Sequence, residues 1–187
     1  MNVQACHQCS ASCLTCAVNT YSCTSCLTTP GRYKSGFSCL CSTGYVDIYL
    51  NGTCSLCHYS CITCTSATSA GCSTCTTNRI LTFGSCLCPA GTYDTGNSSI
   101  CLSCASTCSQ CTNGLASGCT ACNSIYFRTL NPSPTGTCIC QIGYYDVGVL
   151  TCLACYQQCL SCWSSSTNCT SCDSVINHRT ITASDTC

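Results

Sequence analysis

The chain has 187 residues, and 31 of them, one position in six, are Cys. Cysteine makes up over a third of the 45% hydrophobic fraction, so too few large apolar side chains remain to bury a single core for a chain this long. One Lys, four Arg and five Asp cancel, which excludes a basic nucleic-acid surface and a polybasic membrane patch. Cysteine at this density marks a disulfide scaffold, and no stretch approaches the 18 apolar residues of a membrane-spanning helix. No basic-then-apolar leader precedes the first cysteines, as expected either of a leader already removed or of a segment of a longer precursor, and the repeat arithmetic favours the segment.

The cysteines fall into four rows. The first repeat, 1–53, holds Cys6, Cys9, Cys13, Cys16, Cys23, Cys26, Cys39 and Cys41. The second, 54–100, holds Cys54, Cys57, Cys61, Cys64, Cys72, Cys75, Cys86 and Cys88. The third, 101–151, holds Cys101, Cys104, Cys108, Cys111, Cys119, Cys122, Cys138 and Cys140. The fourth, 152–187, holds Cys152, Cys155, Cys159, Cys162, Cys169, Cys172 and Cys187, and stops where its CxC would begin. Each full row reads CxxC, CxxC, CxxC, CxC, and the gaps among the first four cysteines are identical in every row. The truncated last row is expected of a window cut from a longer array.

Other residues keep the same period. Gly-x-x-Asp follows each CxC, at Gly44–Asp47, Gly91–Asp94 and Gly143–Asp146. It reads as a turn, with Gly at positive φ and Asp bonding nearby N–H groups. One Asp per row falls far short of the six to eight oxygens of a calcium site. Arg32, Arg79, Arg128 and Arg179 precede the seventh cysteine of each row; each is expected either as a clamp on its row's Tyr or Asp or as a free surface side chain. The gaps after Cys26, Cys75, Cys122 and Cys172 vary in length, as loops do. Short extended runs such as Tyr45–Leu50 predict two-stranded ribbons, and no sustained 3.6-residue period predicts helix.

Cys57-His-Tyr-Ser-Cys61-Ile-Thr-Cys64, then Cys72-Ser-Thr-Cys75, then CxC and Gly91-Thr-Tyr-Asp94, resembles furin-like, growth-factor-receptor-type cysteine-rich repeats. The closest flavour resembles tandem arrays in surface proteins of ciliates and other protists, where CxC and Gly-Tyr-Tyr-Asp recur as at Gly143–Asp146. One departure is the CxC, where animal repeats usually have the wider CxxxC. The fold expected is one of small disulfide-rich repeats: an elongated rod of stacked modules with short two-stranded β-ribbons, mostly irregular loops and little or no helix.

Cysteines at i and i+3, or i and i+2, bridge only with strain, so partners lie outside each pair. Spacing alone leaves the connectivity open. The resemblance implies Cys9–Cys16, Cys13–Cys23, Cys26–Cys39 and Cys41–Cys54 from the first row. From the second it implies Cys57–Cys64, Cys61–Cys72, Cys75–Cys86 and Cys88–Cys101. From the third it implies Cys104–Cys111, Cys108–Cys119, Cys122–Cys138 and Cys140–Cys152. From the fourth it implies Cys155–Cys162, Cys159–Cys169 and Cys172–Cys187. Cys6 is left over, its partner expected in an upstream row. The rival is an intracellular four-cysteine zinc module, since CxxC pairs are also zinc spacing. Against it stand the strict CxC and the scarcity of Lys and Arg to neutralise thiolates.

Asn51-Gly-Thr, Asn97-Ser-Ser and Asn168-Cys-Thr are N-glycosylation sequons, and the 28 Ser and 28 Thr offer O-linked positions. His7, His58 and His178 hold non-equivalent row positions and read as surface residues. Trp163 occurs in one row only, and packing over a bridge is expected of it. No cofactor is called for, no enzyme is expected, and no nucleic-acid partner or membrane span. The function expected is structural: a glycosylated extracellular segment of a surface coat, stalk or filament. Its partners would be neighbouring repeats of the same or identical chains, through filament self-assembly. A ligand-binding or adhesion ectodomain is the alternative, with Tyr156 and Trp163 as its candidate patch.

Overall fold

The computed structural model describes residues 7–28, 30–48, 52–131, 136–172, 180–182, 184 and 187. Cys6, Asn51, His178 and Arg179 lie outside these residues.

Every row opens with the same ribbon. Its third-to-fourth and fifth-to-sixth cysteines form two short antiparallel strands, β1 (Cys13–Cys16) with β2 (Cys23–Cys26) in the first row. A second ribbon pairs β3 (Arg32–Ser35) with β4 (Ser38–Cys41), carrying the CxC. A third reaches into the following row, pairing β5 (Tyr45–Val46) with β6 (Ser55–Leu56). The pattern repeats as β7 (Cys61–Cys64) with β8 (Cys72–Cys75), β9 (Ile80–Thr82) with β10 (Ser85–Leu87), and β11 (Thr92–Tyr93) with β12 (Leu102–Ser103). Next come β13 (Cys108–Cys111) with β14 (Cys119–Cys122), β15 (Arg128–Leu130) with β16 (Cys138–Cys140), and β17 (Tyr144–Tyr145) with β18 (Leu153–Ala154). The last is β19 (Cys159–Cys162) with β20 (Cys169–Cys172). Among the described residues the helical turns are two 3-10 turns, Ala116–Gly118 and Ser124–Tyr126. This is a fold of small disulfide-rich repeats.

The opening ribbon carries register shifts in all four rows. In a regular strand, residues three apart point to opposite faces. A bulge re-aims one of them, so both ends of a CxxC strand reach bridging partners while the residues between stay mostly exposed. Backbone bonds then tie one ribbon to the next. The fifth-cysteine N–H groups of Cys23, Cys72 and Cys119 each donate 2.8 Å to a carbonyl two residues before the seventh cysteine, at Phe37, Gly84 and Gly136. The N–H groups of Cys57, Cys104 and Cys155 donate 2.8–2.9 Å to Gly44, Gly91 and Gly143 of the turn motif. Those glycines sit at φ +87°, +78° and +86°, with open space where a Cβ would lie, so the backbone angle alone requires glycine.

Among the described residues, the buried apolar set is cysteine alone. Cys13, Cys23 and Cys39 form one such cluster, and Cys61, Cys72 and Cys86 another. Cys108, Cys119 and Cys138 repeat it, and the fourth row gathers Cys159, Cys162 and Cys169. The bonds are Cys9–Cys16, Cys13–Cys23, Cys26–Cys39 and Cys41–Cys54. The second row holds Cys57–Cys64, Cys61–Cys72, Cys75–Cys86 and Cys88–Cys101. The third holds Cys104–Cys111, Cys108–Cys119, Cys122–Cys138 and Cys140–Cys152. The fourth holds Cys155–Cys162, Cys159–Cys169 and Cys172–Cys187.

The chain divides into two compact units, Met1–Pro89 with Gly96–Cys101, and Ala90–Thr95 with Leu102–Cys187. Each closed loop is short, and in the loop-entropy picture one bridge contributes about 2.5–3 kcal/mol. Replacing Cys61 and Cys72 together by Ala is expected to destabilise its unit by about 2–5 kcal/mol. Amide exchange should accelerate in β7 and β8 and leave β13 and β14 protected; unchanged exchange in β7 would refute a core made of bridges.

Candidate functional site

The feature that recurs with the most defined geometry is a buried arginine in each of three rows. Arg32 and Arg128 open their second ribbons and Arg79 immediately precedes one, which turns all three guanidinium groups inward. Only 1% of the Arg32 side chain and 3% of the Arg128 side chain is exposed. The free-surface alternative is therefore corrected for these three residues.

Their contacts are equivalent. Nε donates to a carbonyl two residues before the next row's first cysteine: Gly52 at 3.0 Å, Ser99 at 3.1 Å and Leu150 at 2.8 Å. Nη1 donates to the carbonyl of the seventh cysteine: Cys39 at 2.8 Å, Cys86 at 3.2 Å and Cys138 at 3.3 Å. Nη2 of Arg79 reaches Ser98 O at 2.8 Å, and that of Arg128 reaches Val149 O at 2.7 Å. The aspartate of the turn motif neutralises the charge, Asp47 on Arg32 at 2.6 Å and Asp146 on Arg128 at 2.9 Å. Arg79 also lies over the Tyr59 ring, 5.4 Å from its centroid. A buried cation is tolerable only when its donors are matched in this way. Chemically the arrangement is a clamp, holding the loop that leads into the next row.

Asp146 also accepts a 2.9 Å bond from Gly148 N–H, the expected local turn. The hydrogen bond from Arg128 holds its carboxyl below the usual carboxylate range, against the opposing effect of partial burial, with Gly148 N–H and the Arg128 charge adding to the lowering.

The remaining candidates separate. Asn97 is exposed on a loop and Asn168 is half-buried beside a strand. His7 is exposed, whereas His58 places Nδ1 2.8 Å from Ser60 Oγ. That Ser–His contact has the form of an activated nucleophile, but Ser60 is 2% exposed, so no substrate reaches it. Trp163 does not pack over a bridge: it stands just past the end of β19 and is 70% exposed. The sulfurs of Cys61, Cys72 and Cys86 lie within 4.8 Å of one another, as do those of Cys108, Cys119 and Cys138. All are in disulfides, and a bonded sulfur is not the thiolate a metal needs. A groove of about 460 Å³ is lined by Ile62, Thr76, Thr77, Asn78, Ser99 and Ile100, none of them titratable. Sequence reasoning missed Ser60 and the clamp's carbonyl acceptors; only the recurrence of Arg before the seventh cysteine signalled the clamp.

Comparison with protein-family models, curated proteins and solved structures finds no match.

Arg128→Ala strips the Cys138, Val149 and Leu150 carbonyls of their donor and is expected to cost about 3 kcal/mol, read by chemical denaturation. Arg128→Lys should recover little of it, since one ammonium cannot match a planar fork. The Asp146 pKa is lowered on folding, so its contribution is complete above the unfolded value of about 3.9 and disappears as pH falls through the native one. Asp146→Asn should flatten the acid limb of a thermal-stability profile by lowering its neutral plateau towards the acid value, a modest drop because the carboxylate is partly exposed and screened.

Proposed function

We propose that this chain is a non-catalytic structural segment of a longer extracellular, glycosylated repeat protein of the furin-like type, serving in a surface coat, stalk or filament. One observation carries the reading: all 30 described cysteines are in bridges, and those bridges and the arginine clamp recur from row to row. Bridges in this number belong to an oxidising compartment. Among the described residues no helix is long and apolar enough to cross a membrane, and a lumenal or extracellular segment requires none. Bonded sulfurs offer no nucleophile, and the buried Ser60 speaks against a hydroxyl nucleophile at His58.

A second reading, an adhesion or receptor ectodomain, draws on the single tryptophan, which stands exposed in the fourth row among the apolar side chains that all four rows expose. Trp163 is 70% exposed and both Tyr156 and Leu160 are 46% exposed. Exposed aromatics are what binding hot spots use. Loss of partner capture in Trp163→Ser, with self-assembly unchanged, would select this reading over the first.

The primary test is the intact mass of native protein alkylated without reduction, before and after deglycosylation. No alkyl group on the described cysteines is expected, with a mass above the 19.5 kDa of the peptide that falls when sugars are removed. Alkylation of most cysteines with release of zinc would overturn the proposal.

A further inference from the structure

We infer that Asn168 is a conditional N-glycosylation site, its occupancy decided by competition between sugar transfer and closure of the Cys159–Cys169 bridge. The inference rests on the secretory reading above and specifies how one of its sites is regulated.

The acceptor tripeptide Asn168-Cys169-Thr170 is built into an opening ribbon. Cys169 is bonded to Cys159, only 3% exposed, and pairs across the ribbon with Cys162. The Asn168 carbonyl accepts a 3.0 Å bond from Trp163 N–H. Thr170 Oγ1 lies 2.7 Å from Ser161 Oγ on the facing strand. Sugar transfer needs the asparagine amide and the hydroxyl two residues on, presented together by a pliable chain. Here the middle residue is anchored in the core, and the hydroxyl is engaged across the ribbon.

Asn97-Ser98-Ser99 is the internal contrast. No cysteine stands inside the tripeptide, and Asn97 is exposed between β11 and β12, outside any strand. Its loop is held by the carbonyls of Ser98 and Ser99 on Arg79, and Asn97 itself is exposed. Transfer at Asn97 therefore does not compete with closure of a disulfide inside its own tripeptide.

Both competing steps balance. In transfer, Asn168 Nδ2 attacks the anomeric carbon of an oligosaccharide carried on a polyprenyl pyrophosphate. The new C–N bond replaces the C–O bond, the amide loses a proton, and the lipid pyrophosphate leaves. In closure, the Cys159 and Cys169 thiols give two electrons and two protons to a disulfide oxidant, a dithiol–disulfide oxidoreductase, which becomes a dithiol. The folded ribbon then withdraws the acceptor.

The test is translation of the chain behind a secretory leader into microsomes, with glycans counted by gel shift and peptide mapping. Wild type should carry a glycan at Asn97 and a minority glycan at Asn168. Cys159→Ala, which leaves the tripeptide intact, should raise Asn168 occupancy to that of Asn97, one additional glycan per chain. Added reductant should do the same to the wild type, and neither readout requires the chain to fold. Thr170→Ala should remove the extra glycan in every condition. Equal Asn168 occupancy in wild type and Cys159→Ala, whether full or nil, with Asn97 modified, overturns the inference and leaves the secretory reading standing. Chains bare at both positions in every condition overturn both.

Discussion

The structure depends on one substitution of means: covalent sulfur pairs stand where other domains place aliphatic side chains. Each row buries its clustered cysteines and little else apolar. A four-residue ribbon isolated in water is marginal, and none here has a packed hydrophobic face to hold it. The bridges restrict the unfolded chain instead, and most of them span 7–13 residues. Stability is therefore local, as in quasi-one-dimensional repeats. Large apolar side chains are released from core duty, which is why Leu40, Leu87 and Ile139, at the centre of each CxC, can all be exposed.

Local bridges leave one problem, the long connection from the CxC to the next row. A single bridge spans it, Cys41–Cys54 in the first case. The turn glycine and the buried arginine share the remaining load. The glycine carbonyl receives the next row's second cysteine N–H, while the guanidinium gathers carbonyls from both ends of the connection. Desolvating a charge is costly, and the carboxylate of Asp47 or Asp146 offsets this where it pairs with the arginine. Arg79 adds the face of Tyr59.

The ribbons and turns were legible because their determinants are written in residue identity. The CxxC spacing of both strands repeats in every opening ribbon, and Gly-x-x-Asp names its own backbone angle and its own acceptor. The burial of Arg32, Arg79 and Arg128 was not, because the atoms that receive them are mostly backbone carbonyls, which look alike in any sequence. Ser60 was hidden for a related reason: its carbonyl meets Thr76 N–H at 3.0 Å, sixteen positions along the chain. Trp163 was misread because bulk suggests packing, whereas the residue stands past the end of β19 with its side chain exposed.

A core held by bonds also changes what the surface is free to become. In an ordinary domain an apolar-to-polar exchange on a strand risks the packing beneath it. Here the residues between the cysteines of a ribbon face outward and meet one another across it, as Thr63 and Thr74 do at 2.6 Å, Ser161 and Thr170 at 2.7 Å, and Thr15 with Ser25. Hydroxyl pairs occupy these positions in three rows, while the third row places Gln110 opposite Ala121. The ribbon forms in all four. The outward positions are thus decoupled from the fold, and one covalent frame can present different outward faces without altering the bonds that hold it.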